Sequence, residues 1–319
     1  MPCWLHRSSF VGSLALGLGV LYLAVGCCLT DGRITATPWA DRPVVDPGAS
    51  VSHPVGASAA SGPRLDLEFL GTGASWTIPR LGCSCATCKA ARGSSPRSRR
   101  LRSSLKVGTD PYLLVDMGPD VYQQLDRQPK ARPDAVLLTH AHPDHASGAS
   151  ELDPIARKSP IPLFTTPPIF AQMSQNMPWT VPLFSFEDVS RPRRAGPYTI
   201  SSFALTHGTN TVGFRIERGG RALAYVCDVD EVPQPSLRSL MGLDLMILDG
   251  TNIGLLPPAA PEPLHIKPDG IDRLLRATRP RRVVFTHVGH MAQPHEAVAE
   301  RCRKAYGAEV AHDGWRLTL

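Results

Sequence analysis

From residue 65 onwards the chain breaks into short apolar runs separated by polar stretches. Residues 65–70, 112–115, 135–139, 223–226, 245–248 and 283–286 each have the length and continuity of a strand buried on both faces. A second period appears later. After Pro268-Asp269-Gly270, the residues Ile271, Leu274 and Leu275 recur at helical spacing, and over 295–306 Val298, Cys302 and Tyr306 share one face before Gly307 stops the helix. Strands outnumber helices, so the pattern predicts an α/β chain built as an αββα sandwich instead of a regular alternation of single strands and helices.

The first 63 residues read differently. His6 and Arg7 precede an apolar stretch over 10–26, which ends at Cys27 and Cys28 in the layout of a secretory signal. Leu23-Ala24-Val25-Gly26-Cys27 resembles a bacterial lipoprotein signal, whose cysteine is acylated and becomes the new N-terminus. An uncleaved anchor is the alternative, because the run is at the lower edge of bilayer-spanning length. Residues 28–63 are rich in Pro, Ala, Gly and Ser and read as a tether that cannot bury enough apolar surface to fold. The expected organisation is a signal or anchor over 1–27, a tether over 28–63 and a folded unit over 64–319. It implies export to the periplasm or surface of a bacterium and a membrane partner; without a working signal the protein stays in the cytoplasm.

Charge adds little to this. The net charge of +6 is concentrated around Arg97, Arg99, Arg100 and Arg102. No aromatic residues interleave that run for base stacking, so nucleic acid is not the expected partner. A solvated loop, or a few arginines facing a small anionic substrate, is the expectation. Oligomeric state stays open, a homodimer included.

The chemistry gathers at strand ends. Asp116, His140, Asp228, Asp249 and His287 each stand at or just after the end of an apolar run, where one rim of a sheet collects side chains in a cleft. His140, His142, Asp144 and His145 fall within six residues, a mixture of imidazole and carboxylate suited to two divalent cations.

Thr-His-Ala-His-Pro-Asp-His over 139–145 resembles the His-x-His-x-Asp-His signature of the metallo-β-lactamase superfamily, and the resemblance runs over 65–319. It implies the αββα sandwich of that fold. It also implies that His207 joins His140 and His142 on a first metal, that Asp228 bridges, and that His287 joins Asp144 and His145 on a second. Asp116 would orient ligands. Cys227 competes with Asp228, because true lactamases place a cysteine there, but the strand-end pattern favours the aspartate.

Cys83, Cys85 and Cys88 form a second cluster, an odd and closely spaced set that suits zinc better than disulfides, with His290 as the fourth ligand of a structural site. With Thr-His-x-x-His and the closing Gly-Ala-Glu-Val-Ala-His-Asp-Gly-Trp, the cluster resembles the phosphoribosyl cyclic phosphodiesterase of the carbon-phosphorus lyase pathway. That resemblance implies a catalytic role for His265, as general acid to the leaving alkoxide or clamp on a phosphate oxygen. Gly118-Pro119-Asp120, Gln123-Gln124 and Ile247-Leu248-Asp249-Gly250-Thr251 look instead like pyrroloquinoline quinone biosynthesis protein B.

The expected function is therefore hydrolysis of a phosphodiester, a cyclic one included, by hydroxide bridged between two Zn²⁺ or Mn²⁺ ions, with Asp144 and His265 catalytic and one structural Zn²⁺. A step on a quinone-cofactor precursor is the second enzymatic reading. A tethered metal-binding protein without turnover is the third.

Overall fold

The computed structural model describes residues 64–319, so the signal, anchor and tether read from 1–63 lie outside the described residues. The first sheet is begun by β1 (Asp66–Gly71), β2 (Ser104–Val107), β3 (Leu113–Val115), β4 (Ala135–Leu137), β5 (Ile161–Thr165) and β6 (Phe184–Asp188). The second contains β7 (Arg193–Ala195), β8 (Tyr198–Thr206), β9 (Asn210–Arg218), β10 (Arg221–Val226), β11 (Leu245–Asp249), β12 (Val283–Thr286) and β13 (Glu309–Val310). The last strand, β14 (Arg316–Thr318), returns to the first sheet and pairs antiparallel with β1. Strand orders are β14-β1-β2-β3-β4-β5-β6 and β13-β12-β11-β10-β9-β8-β7.

The helices are α1 (Ala86–Arg92), α2 (Val121–Leu125), α3 (Pro143–Ala146), α4 (Asp153–Ala156), α5 (Pro167–Asn176), α6 (Pro268–Thr278) and α7 (His295–Tyr306). The last two lie where the periodicity placed them. Arg279 ends α6 and Gly307 ends α7 in the left-handed conformation, the ordinary way for a helix to satisfy its last carbonyls.

One apolar cluster joins the two sheets. Leu105 and Val107 of β2 bury with Ile200 of β8, Phe214 and Ile216 of β9, and Leu223 and Tyr225 of β10, the two-residue period expected of strands facing a common core. All six predicted strands are present, with ends that differ by a residue or two. The long β8–β9 hairpin escapes a search for apolar runs because half of each period is Thr, Ser, Glu or Arg and is partly exposed.

The arginine run does not behave as a solvated loop throughout. Arg100 is buried, donating to Thr72 Oγ1 and the Ala311 carbonyl at 2.6 Å each, with His295 Nδ1 at 3.1 Å. Arg102 pairs with Asp120 at 3.1 Å. A guanidinium buried among acceptors ties the first loop to the last one, a cost repaid only by such complete hydrogen bonding.

Candidate metal centre

Six strands deliver the centre. Asp116 follows β3, His140 follows β4, His207 follows β8, Asp228 follows β10, Asp249 ends β11 and His287 follows β12. Asp116, Asp228 and His287 have φ of 60°, 53° and 56°. Left-handed backbone costs a non-glycine residue about 1–2 kcal/mol, and it persists where surrounding contacts hold it. Pro143 fixes the first turn of α3, which follows His142 and carries Asp144 and His145 inward. Gly118 makes room for this: a Cβ there would meet the Asp144 carbonyl at 2.0 Å.

The ligand atoms fall into two groups that share one carboxylate. His140, His142, His207 and Asp228 form the first, and Asp144, His145, Asp228 and His287 form the second, each with its ligand atoms within 4.8 Å of one another. Asp228 Oδ2 lies 3.1 Å from His207 Nε2 and 3.4 Å from both His140 and His145 Nε2, while its Oδ1 lies 2.8 Å from His287 Nε2. All seven residues expected at the dinuclear centre meet here. Cys227 is in neither group; burial pushes its thiol well above the ordinary cysteine range, and Asp228 is the carboxylate that both groups share.

The far side of each ring is fixed. His145 Nδ1 donates to Asp116 at 2.8 Å, His207 Nδ1 to the Leu264 carbonyl at 2.9 Å, and His287 Nδ1 to Thr251 Oγ1 at 2.9 Å. His140 Nδ1 donates to Thr139 Oγ1 at 3.0 Å, and that hydroxyl donates onward to Asp116. Asp116 thus orients two of the rings, the role expected of it. With Nδ1 carrying the proton, Nε2 of each ring presents a lone pair to the centre.

Those lone pairs are the test of whether a cation fits. His140 Nε2, His287 Nε2 and Asp144 Oδ2 are buried and make no hydrogen bond. Buried acceptors that face one another without a donor between them are costly, and a divalent cation among them removes the cost. Imidazole nitrogen with carboxylate oxygen is the donor set of Zn²⁺ and related ions. The centre is a divalent-metal site.

The electrostatics point the same way. Burial pushes His140 down to about 4, so its ring is neutral and free to ligate. Burial opposes charge on His287 too, yet Asp228 and Asp144 raise it to about 10. Burial would likewise raise Asp228, but His287 and His145 hold its carboxyl well below the usual range. The carboxylate field that attracts a proton to His287 is the field a cation would neutralise.

His265 stands at the edge of this centre. Its Nδ1 lies 2.7 Å from Asp249 Oδ2, and its ring is 5.0 Å from His207 and 5.5 Å from His287. Asp249 also accepts from the Val229 and Thr251 amides, so it is a fixed acceptor. Sequence reasoning marked Asp249 as a strand-end residue without giving it this role, and it overlooked Thr139 and Thr251. Their position beside ligand-bearing strand ends was the available signal.

The cysteine cluster is separate. Cys83, Cys85 and Cys88 bring their thiols together, with Cys85 capping α1 and accepting from the Cys88 amide at 3.4 Å. The Arg80 amide donates to Cys88 Sγ at 3.3 Å. Burial pushes Cys88 up to about 12, whereas hydrogen bonds from Cys85 lower Cys83. The imidazole of His290 is not grouped with these thiols; its carbonyl accepts from Cys85 Sγ at 3.6 Å instead. The structure brings the three thiols together beside the His290 backbone.

Comparison with known proteins agrees with this geometry. The Beta-lactamase superfamily domain matches residues 112–288. Coenzyme PQQ synthesis protein B of Methylobacterium sp. (strain 4-46) is 31% identical over 305 residues, covering 80% of this chain and 100% of the relative. Among solved structures, a new diphosphatase from the PhnP family superposes with TM-score 0.70 at 27% identity, over 80% of this chain and 97% of the other. Zn²⁺-bound PqqB from Methylobacterium extorquens gives TM-score 0.68 at 25% identity, over 80% and 100%. The chain belongs to the metallo-β-lactamase superfamily of metal-dependent hydrolases, in the family of coenzyme PQQ synthesis protein B.

Proposed function

We propose that the protein is a phosphodiesterase that cleaves a small anionic phosphodiester, cyclic ones included, at a centre holding two Zn²⁺ or Mn²⁺ ions. The observation that carries this reading is the His265–Asp249 pair, 2.7 Å apart, beside a complete set of seven ligands. Bound divalent cations supply a water of lowered pKa and positive charge opposite the phosphoryl oxygens. The chain supplies the rest. Asp249 holds Nδ1 of His265, leaving Nε2 to give a proton to the departing alkoxide or to donate to a phosphoryl oxygen. Asp144 and Asp228 fix the ligand geometry, and Asp116 keeps two rings in the ligating tautomer. A third ion, Zn²⁺, is proposed at Cys83, Cys85 and Cys88, with His290 as its fourth ligand.

The 31% identity to a protein of coenzyme PQQ synthesis favours a second reading, a step on a quinone-cofactor precursor. Turnover of bis(p-nitrophenyl) phosphate and of cyclic nucleotides by the metal-loaded protein separates the two. Turnover that is lost in Asp144→Ala and His142→Ala, with melting temperature kept, supports the phosphodiesterase. Full turnover in either variant refutes the two-metal assignment, and stoichiometric metal without turnover on any ester favours a tethered metal-binding protein. Residues 1–27 carry our proposal for location, export with a lipid on Cys27.

A further inference from the structure

A cleft of about 230 Å³ opens beside the centre, its lining including His265, Thr251, Trp76, Arg80 and Glu262. Trp76 is 53% exposed, and the Arg80 guanidinium sits 4.6 Å from its ring centroid. One face of the indole is thus occupied while the residue remains largely open. The backbone beside it is hydrogen-bonded to neighbouring segments. The Gly73 amide donates to the Leu101 carbonyl at 2.7 Å, the Ala74 amide to the Val288 carbonyl at 3.3 Å, and Arg102 Nε to the Ser75 carbonyl at 3.2 Å. Arg80 is tied through its amide to Cys88 Sγ, and its carbonyl accepts from Arg92 at 2.9 Å. Asn252 clasps the Glu262 backbone with bonds of 2.7 and 3.0 Å.

We propose that this cleft is the recognition subsite for an uncharged planar heteroaromatic group of the substrate, a nucleobase, stacked on the open face of Trp76. The inference rests on the phosphodiesterase reading and names the group attached to the ester. Among the described residues lining the cleft, Arg80 and Glu262 carry the formal charges. A neutral ring stacked on Trp76 can donate its N–H groups to Glu262. Base stacking on an aromatic side chain changes affinity by at least about fivefold.

The test reads binding apart from turnover. Equilibrium dialysis of the metal-loaded full chain with AMP and with ribose 5-phosphate should give tighter binding for AMP. Trp76→Ala should weaken AMP at least about fivefold and leave ribose 5-phosphate unchanged, while Trp76→Phe retains most of the AMP affinity. Equal binding of AMP and ribose 5-phosphate overturns the subsite, as does a Trp76→Ala loss shared by both. Base-dependent binding without hydrolysis of bis(p-nitrophenyl) phosphate refutes the phosphodiesterase and leaves the subsite standing. Hydrolysis without base preference does the reverse.

Discussion

Replacing Asp116 with Asn changes one atom's chemistry and leaves the shape nearly unaltered. Asp116 is fully buried and accepts from the Thr139 amide at 2.9 Å, from Thr139 Oγ1 at 3.0 Å and from His145 Nδ1 at 2.8 Å. An asparagine tolerates the left-handed backbone at this position, where φ is 60°. Its carbonyl can keep Thr139, which turns its amide group towards His145. A donor then faces a donor. The imidazole relieves the clash by moving its proton to Nε2, and so loses the lone pair it offered to the centre. Loss of such an outer partner lowers metal affinity about 10- to 100-fold, or about 1.4–2.7 kcal/mol. Competition against a fluorescent chelator on the purified full chain measures this, with thermal melting as the control for folding. Wild-type metal affinity in a folded Asp116→Asn protein would refute the proposed orienting role.

The two metal sites should also separate by mutation. Cys85→Ser is expected to lower melting temperature and total zinc together, because a thiolate site stores folding energy, and unchanged zinc would exclude that site. His207→Ala is expected to abolish turnover with little change in melting temperature; retained turnover contradicts its place in the first ligand group. His295 governs an acid limb: burial and the Arg100 guanidinium depress it to about 4 from 6.5, so the folded form stays neutral while the unfolded form takes a proton. Stability from this group is present above pH 6.5 and is lost as pH falls towards 4, by up to about 3 kcal/mol. Urea unfolding of His295→Asn between those limits should show a flatter decline than wild type, and identical slopes would exclude the effect. Fatty-acid labelling in a bacterial host should require Cys27, and a mature protein without lipid would leave export alone.

The parts of the centre that could be read from sequence are those encoded by neighbours. His140, His142, Asp144 and His145 lie within six residues, and Asp228 and His287 betray themselves by following apolar runs. Partners distant along the chain left no such mark. Thr251 meets His287 only because β11 and β12 lie parallel, and Asp249 meets His265 across a loop. The left-handed turns at Asp116, Asp228 and His287 were equally silent, since neither aspartate nor histidine advertises them as glycine would. In the fold, continuous apolar strands were legible and the two-faced β8–β9 hairpin was not, because its signal is alternation.

The shared carboxylate of Asp228 has a consequence for how the protein matures. The first sheet delivers His140, His142, Asp144 and His145, and the second delivers His207, Asp228 and His287. A nascent chain that has emerged only through α3 holds four ligands but lacks the oxygen that joins the two groups. The complete ligand set exists only once β12 has been synthesised and the two sheets have docked, a closure between distant segments. Full metal affinity is thereby coupled to the docking of the sheets.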